Sequence, residues 1–258
     1  GNIYLGGTGK TPLCKEIFQI FRSLKIEAAF VKKYYKKFSD ETKLLENTGK
    51  VFSSKQRSEA IKSLISSKFQ VGIIDDGFQD PNIKSDISIV CFNEKQWIGN
   101  GLLIPSGPLR EELSSLKRAD CVVINGNKNV DIENKIYSKN KLIKIFYTRY
   151  KPVNINEFKD KKIMAFAGIG NPINFFDLLK ENNVNVVEKI KFPDHYSYTK
   201  EDLEKLINKA KESDSILLTT EKDFFRINQD FKKNINYLKI SVEIQNKNHF
   251  VEKIKQAI

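Results

Sequence analysis

Cysteine, histidine, methionine and tryptophan are scarce in these 258 residues: three, two, one and one. Cys14, Cys91 and Cys121 are isolated, odd in number and set among apolar neighbours, which excludes a disulfide framework and a cysteine-based zinc site. They read as reduced core residues of a cytosolic protein. Long apolar runs are missing too: no stretch approaches the roughly 18 consecutive apolar residues of a membrane span. There is no visible signal peptide, no internal repeat and no low-complexity tract beyond a Lys/Asn bias. Acidic residues are in deficit, 32 against 44 basic ones, for a net charge of +12. Two readings of that excess stand side by side. It suits an anionic partner (nucleic acid, anionic lipid or a phosphorylated substrate), or it reflects AT-rich coding and a solvated lysine surface.

The residues present are more informative. Gly6-Gly7-Thr8-Gly9-Lys10-Thr11 reads as a phosphate-binding loop, in which small residues let backbone N–H groups turn toward phosphate oxygens and the following helix adds its positive end. Lys10 would reach the β- and γ-phosphates of ATP and the Thr11 hydroxyl would bind Mg²⁺. Tyr4 stands where the usual spacing asks for a first glycine. Downstream, Leu13, Ile17, Ile20, Phe21 and Leu24 recur at helical spacing, with Pro12 tolerated in the first turn. Upstream, Gly1 to Leu5 are too few for a strand of about five to six residues, so the expectation is a fragment lacking its N-terminus.

Apolar runs at 28–31, 71–74, 87–92 and 121–124 alternate with helical patterns such as 58–67, as in a mostly parallel sheet. The charged stretch 148–152 looks like a connector. Beyond it a second series runs through a strand at 163–167, helices near 174–180 and from 200, and a strand at 215–219. The fold expected is therefore α/β. A phosphate-loop NTPase-like core over 1–150 precedes a smaller α/β domain over 151–258.

Four further constellations carry chemistry. Val71 to Ile74 leads into Asp75-Asp76, carboxylates at a strand's end where an NTPase places its Mg²⁺-binding acid. They point to opposite faces if the strand continues through them. The Gly- and Pro-rich segment 99–111 is a shaped loop ending in Arg110-Glu111. Arg110 suits phosphate oxygens and Glu111 a metal or an ion pair, while a helix-capping pair serves equally well. Pro193-Asp194-His195 sets an imidazole beside an acid, either to assist a general base or as a structural histidine. Thr219 to Asp223 follows a strand and reads as site or as helix cap. His249 reads as surface.

In order along the chain, these segments resemble the tetraacyldisaccharide 4'-kinases. The resemblance rests on Gly1-Asn2 with Gly6 to Pro12, Asp40-Glu41 with Leu44-Leu45, Asp75 to Gln79, Leu103 to Glu111, Phe166 to Pro172, Phe192 to His195 and Thr219 to Asp223. It implies transfer of the ATP γ-phosphoryl group, with Mg²⁺, to the 4'-hydroxyl of an acylated glucosamine disaccharide 1-phosphate. It also implies two α/β domains with the site in their cleft, at the cytoplasmic face of the bacterial inner membrane. An anionic membrane surface is the implied partner, with neither nucleic acid nor an obligate protein. By position, Asp40 is the implied catalytic base and His195 its partner. Gly6, Gly7, Thr8, Gly9, Lys10 and Thr11 bind the nucleotide, with Gln79 a further contact. Lys10 and Arg110 stabilise the transferred group, and Thr11, Asp75, Asp76 and Glu111 surround the metal.

The chain departs from the pattern in three places. Val31-Lys32-Lys33-Tyr34-Tyr35 replaces Ser-Arg-Gly-Tyr-Gly, so Lys32 or Lys33 stands in for an arginine without its bidentate fork. Ser39 and Thr42 flank Asp40-Glu41 in place of Gly and Pro. The family's apolar N-terminal helix is not in this sequence. From the residues alone, two other readings remain: an NTPase of another kind, such as a small-molecule kinase or nucleotide-switch chaperone, and a non-enzymatic basic module at membranes or nucleic acid.

Overall fold

The computed structural model describes residues 1–35, 39–256 and 258, with the side chains of 39 and 40 outside the description. It divides into two compact units. One comprises Gly1–Lys36, Leu45–Arg149 and Val242–Ile258, the other Lys37–Leu44 and Tyr150–Ser241.

The chain runs through α1 (Lys10–Ser23), β1 (Ala28–Lys33), α2 (Ser39–Glu46), β2 (Val51–Ser54), α3 (Arg57–Ser66), β3 (Val71–Ile74) and β4 (Ile89–Asn93). It continues with β5 (Cys121–Asn125), α4 (Val130–Tyr137), β6 (Lys144–Pro152), β7 (Ile163–Ala167), α5 (Pro172–Glu181) and β8 (Val186–Lys191). Then come α6 (Lys200–Glu212), β9 (Ile216–Thr220), α7 (Glu221–Arg226), α8 (Gln229–Lys232), β10 (Asn236–Leu238), β11 (Ile240–Ile244) and α9 (Lys247–Lys255).

In the first unit β1 is central, paired in parallel with β2 and β3. Ala28 to Val31 are buried on both faces, which is why they read as an unbroken apolar run rather than an alternation. A second sheet has the order β11-β6-β5-β4, with β4, β5 and β6 parallel. Gly1 joins its edge, donating to the Ile89 carbonyl at 2.8 Å and accepting from Cys91 N–H at 2.9 Å. The α1 stripe buries Leu13, Ile17, Ile20 and Phe21, while Leu24 caps the helix. Each buried side chain contributes about 1.5–3 kcal/mol relative to exposure.

Two expectations are corrected here. Residues 148–152 are not a connector but the second half of β6, where Thr148 is in register with Asn125. The charges of Arg149 and Lys151 alternate outward at period two, so they mark the solvent face of a strand. The division is also not a single cut near residue 150. The C-terminal segment returns to the first unit because β11 extends the sheet at β6 and α9 buries Phe250 and Ile254, whereas the start of α2 groups with the second unit, where Glu41 pairs with Lys222.

The second unit is a parallel sheet of order β10-β9-β7-β8. Its centre, β7, is fully buried, and apolar faces of α5 and α6 cover it through Phe175, Phe176, Leu179, Leu203, Leu206 and Ile207.

Candidate functional site

The glycines of the loop are there for their backbone. Gly6, Gly7 and Gly9 have φ of 73°, 62° and 90°, the left-handed region where a Cβ is strained. Asn2, fully buried, staples the loop's base by donating to the Tyr4 carbonyl and the Thr8 hydroxyl at 2.5 and 3.0 Å. Leu5 N–H donates to the Pro108 carbonyl at 2.8 Å and Arg110 N–H to the Ile3 carbonyl at 2.7 Å. These bonds carry Arg110 to the loop across more than a hundred residues of chain. Lys10 and Thr11 open α1, at the positive end of its dipole.

The two carboxylates after β3 are held differently. Asp75 is buried, with its Oδ2 at 2.5 Å from Lys32 Nζ and 3.4 Å from the Thr11 hydroxyl. Of the two lysines after Val31, Lys32 is the one that pairs with Asp75, while Lys33 lies over the Tyr35 ring. Cys14 is half-buried 3.9 Å from Asp75, and desolvation, reinforced by that carboxylate, pushes its thiol well up. The strand does not continue through Asp76. Its φ is 58°, and the turn aims its carboxylate at Arg110 Nη1, 3.0 Å away, and Lys10 Nζ, 3.6 Å away.

Arg57, which sequence reasoning passed over, holds that turn. Its Nη2 donates to the Asp76 carbonyl at 2.5 Å and its Nη1 to Asp80 at 3.0 Å. A weak signal existed: an arginine at the start of a helical pattern opposes the helix dipole, a local misfit that another partner must offset, and the structure shows it buried.

Burial opposes ionisation of Asp76, but Lys10 and Arg110 outweigh it and hold the carboxyl below its ordinary value. At Asp80 the same contest is won by the hydrogen bond from Arg57. A carboxylate with a depressed folded-state pKa stabilises above its unfolded value, and the contribution is lost as pH falls through the folded one. Thermal stability should thus decline below about pH 4, and Asp76→Asn should flatten that acid limb. A limb of unchanged steepness in the variant, followed by circular dichroism from pH 6 to pH 2, would refute the assignment.

Two further residues singled out in the sequence have protein partners here. Glu111 is paired with an arginine of the next turn. The turn Leu113–Arg118 brings Arg118 back over the Phe78 ring, where its guanidinium takes Glu111 at 2.5 Å. Gln79 braces its neighbours: its amide donates to the Asn2 carbonyl at 2.7 Å and its oxygen accepts from Arg110 at 3.5 Å.

In the second unit, residues gather at the C-terminal ends of β7 and β9, where open α/β sheets place their sites. Asp223, fully buried, accepts from Gly168 N–H at 3.0 Å, the Tyr198 hydroxyl at 3.0 Å, the Thr220 hydroxyl at 2.7 Å and Arg226 at 3.0 Å. Burial, with Asp223 beside it, pushes the Tyr198 phenol far up, so the hydroxyl stays a donor. Thr220 caps α7, so the Thr219–Asp223 motif serves as cap and hub together. His195 has φ of 57°, and its N–H meets the Gly168 carbonyl at 3.1 Å and the Asp194 carboxylate at 2.9 Å. Its ring nitrogens face Lys222 and Arg226, each at 3.4 Å. Glu41 on α2 pairs with Lys222 at 2.9 Å. The Asp40 side chain lies outside the described residues. His249 is exposed.

The first unit thus offers a left-handed glycine loop, a helix N-terminus and two cations aimed at one carboxylate, a set that accepts polyphosphate. Its oxygen donors, Thr11, Asp75 and Asp76, suit a hard divalent cation. Among the described residues no three His, Cys, Asp or Glu side chains form a cage. Mg²⁺ does not need one, since it takes one or two carboxylates together with substrate phosphates and water.

Comparison with known proteins gives the same direction. The family described as Tetraacyldisaccharide-1-P 4'-kinase matches residues 1–258. A tetraacyldisaccharide 4'-kinase of Pelagibacter ubique is 44% identical over 257 residues, covering 98% of this chain and 82% of the relative. One of Rickettsia akari is 34% identical with the same two coverages. The crystal structure of LpxK from Aquifex aeolicus in complex with ATP superposes with a TM-score of 0.73 at 23% identity, covering 100% of this chain and 86% of that one, and so shares the fold. With residues 1–258 matched throughout, this chain belongs to the tetraacyldisaccharide-1-P 4'-kinase family.

Proposed function

We propose that the protein transfers the γ-phosphoryl group of ATP to the 4'-hydroxyl of a tetraacylated glucosamine disaccharide 1-phosphate, a lipid A precursor. The observation that carries this reading is the convergence of Lys10 and Arg110 on Asp76 beside the glycine loop. Loop N–H groups and the α1 dipole bind the donor's phosphates. Lys10 and Arg110 exchange Asp76 for phosphoryl oxygens and stabilise charge as the group moves. Thr11 and Asp76 would hold Mg²⁺, with Asp75 behind Thr11 and neutralised by Lys32. The metal supplies charge neutralisation of the phosphates. Asp40 takes the proton of the 4'-hydroxyl, and His195 assists it. The sugar oxygen then bonds to the γ-phosphorus, the bond to the β–γ bridging oxygen breaks, and ADP leaves.

We place the enzyme at the cytoplasmic face of an anionic bilayer. A net charge of +12 favours anionic headgroups, and ATP is available on that side. No described helix is long and apolar enough to cross a membrane. The test is transfer of labelled phosphate from ATP to the disaccharide 1-phosphate in mixed micelles. The wild type should form 4'-phosphorylated product and Asp40→Ala should form at least about a hundredfold less, the lower range for general-base loss. Acceptor-independent hydrolysis, or undiminished product from the variant, would sink the proposal.

A further inference from the structure

Lys222 has contacts that a helix-surface lysine does not need. It lies in the first turn of α7, and its Nζ stands 2.9 Å from Glu41 Oε1 and 3.4 Å from His195 Nε2. Glu41 follows Asp40 directly on α2, 181 positions away in sequence. One ammonium thus connects the helix that carries the candidate base to the loop that carries its partner.

The same turn also packs against the other side of the imidazole, whose single acceptor nitrogen in the neutral form can bond only one of the two donors, Lys222 or Arg226. Arg226, four residues on and so on the same helix face, sets Nη2 3.4 Å from His195 Nδ1. Its own position is fixed by bonds to the Gly168 carbonyl at 2.6 Å and to buried Asp223 at 3.0 Å. His195 adds its left-handed φ and its N–H bond to Gly168. The histidine is therefore rigid against α7, and Lys222 passes that rigidity on to α2. Stability alone does not account for the arrangement. The Lys222 and Glu41 side chains are 23% and 26% exposed, and pairs that accessible to water add at most about 1 kcal/mol.

We infer that Lys222 is a positioning residue, a clamp from Glu41 to His195 that fixes where α2 presents Asp40 to the acceptor hydroxyl. The inference rests on the kinase reading above. Near-attack geometry tolerates little error: a misplacement of about 1 Å costs roughly a hundredfold in rate. A positional role therefore predicts a defect in kcat.

The experiment compares wild type, Lys222→Met, Lys222→Arg, Glu41→Gln, Lys222→Glu and the swapped pair Glu41→Lys/Lys222→Glu. Each full-length protein is assayed with ATP and the disaccharide 1-phosphate, and its folding is checked by thermal unfolding. Lys222→Met should lower kcat roughly 10- to 100-fold with both KM values within about twofold, Glu41→Gln should show a smaller loss in kcat, and Lys222→Arg should recover most of it. The swapped pair should turn over at least about tenfold faster than Lys222→Glu, because it restores the contact with its charges exchanged. An unchanged kcat in Lys222→Met overturns the clamp. So does a rise in acceptor KM at constant kcat, which would mean that Lys222 binds the substrate, and so does a swapped pair no faster than the single reversal. If Lys222→Met does not fold, Glu41→Gln tests the same contact from its other end. An inactive wild type overturns the kinase reading and this inference together, whereas an active wild type with an unaffected Lys222→Met overturns only the inference.

Discussion

Lys10→Ala lowers the rate of phosphate transfer by roughly a hundred- to a thousandfold, the usual loss when one fixed donor to a developing oxyanion is removed. The side chain opens α1 beside the glycine loop, and Asp76 holds it at 3.6 Å with only 16% exposure. It is thus pre-set in a partly desolvated place where charge counts for more than in water. Asp76 keeps Arg110 at 3.0 Å in the variant, so its carboxylate is not stranded and the fold should hold. The expected signature is a collapse in kcat with thermal unfolding nearly unmoved. Lys10→Arg should not rescue the rate, because the planar fork delivers its charge farther from the backbone than the ammonium does. A Lys10→Ala protein that turns over within about threefold of wild type would show that the loop does not hold the reacting phosphate.

Asp223→Ala should remove about 3–5 kcal/mol from the second unit, the cost of breaking a buried charge pair at one end. Arg226, with 8% of its side chain exposed, keeps its charge without this carboxylate, and Gly168 N–H and the Tyr198 hydroxyl lose their acceptor. Domains are stable by only about 5–15 kcal/mol, so a loss of this size is a large share of the total. Asp223→Asn should fall between, keeping an acceptor for Gly168 while losing the charge opposite Arg226. The single tryptophan, Trp97, is partly buried and packs against the core of the first unit, so its fluorescence reports that unit. Far-ultraviolet circular dichroism follows the helices of both. Asp223→Ala should shift the dichroism transition well below that of wild type, and an unshifted transition would contradict the account of Asp223 as the hub of this site.

Much of this could be read from the residues, and the reasons are local. The left-handed glycines of the loop, the α1 stripe and the continuous apolar runs of β1 and β7 are set by neighbours within a few positions. Misreadings arose where a distant partner decided. Residues 148–152 looked like a charged linker because the strand that pairs with them lies elsewhere in the chain. The partner of Glu111 was equally hidden, because nothing in Arg110-Glu111 announces that Arg118 will fold back over Phe78. Which of Lys32 and Lys33 meets a carboxylate was equally open. Alternation along β1 puts the two on opposite faces, and only the adjacency of β3 shows which one meets Asp75.

The sequence by itself determined the chemistry available to this protein: a phosphate loop opening a helix, paired carboxylates ending a strand, and an acid and an imidazole in separate segments. Periodicity and backbone tolerance are properties of short stretches, so those features needed no tertiary contact to be recognised. Tertiary structure decided the pairings: Lys32 with Asp75, Arg57 with the Asp76 carbonyl, Asp223 with Gly168 and Tyr198, and Lys222 with Glu41 and His195. A charged side chain carries no label for its partner. Which opposite charge it meets depends on the path of a backbone tens to nearly two hundred residues away, and burial then fixes how strongly the two interact.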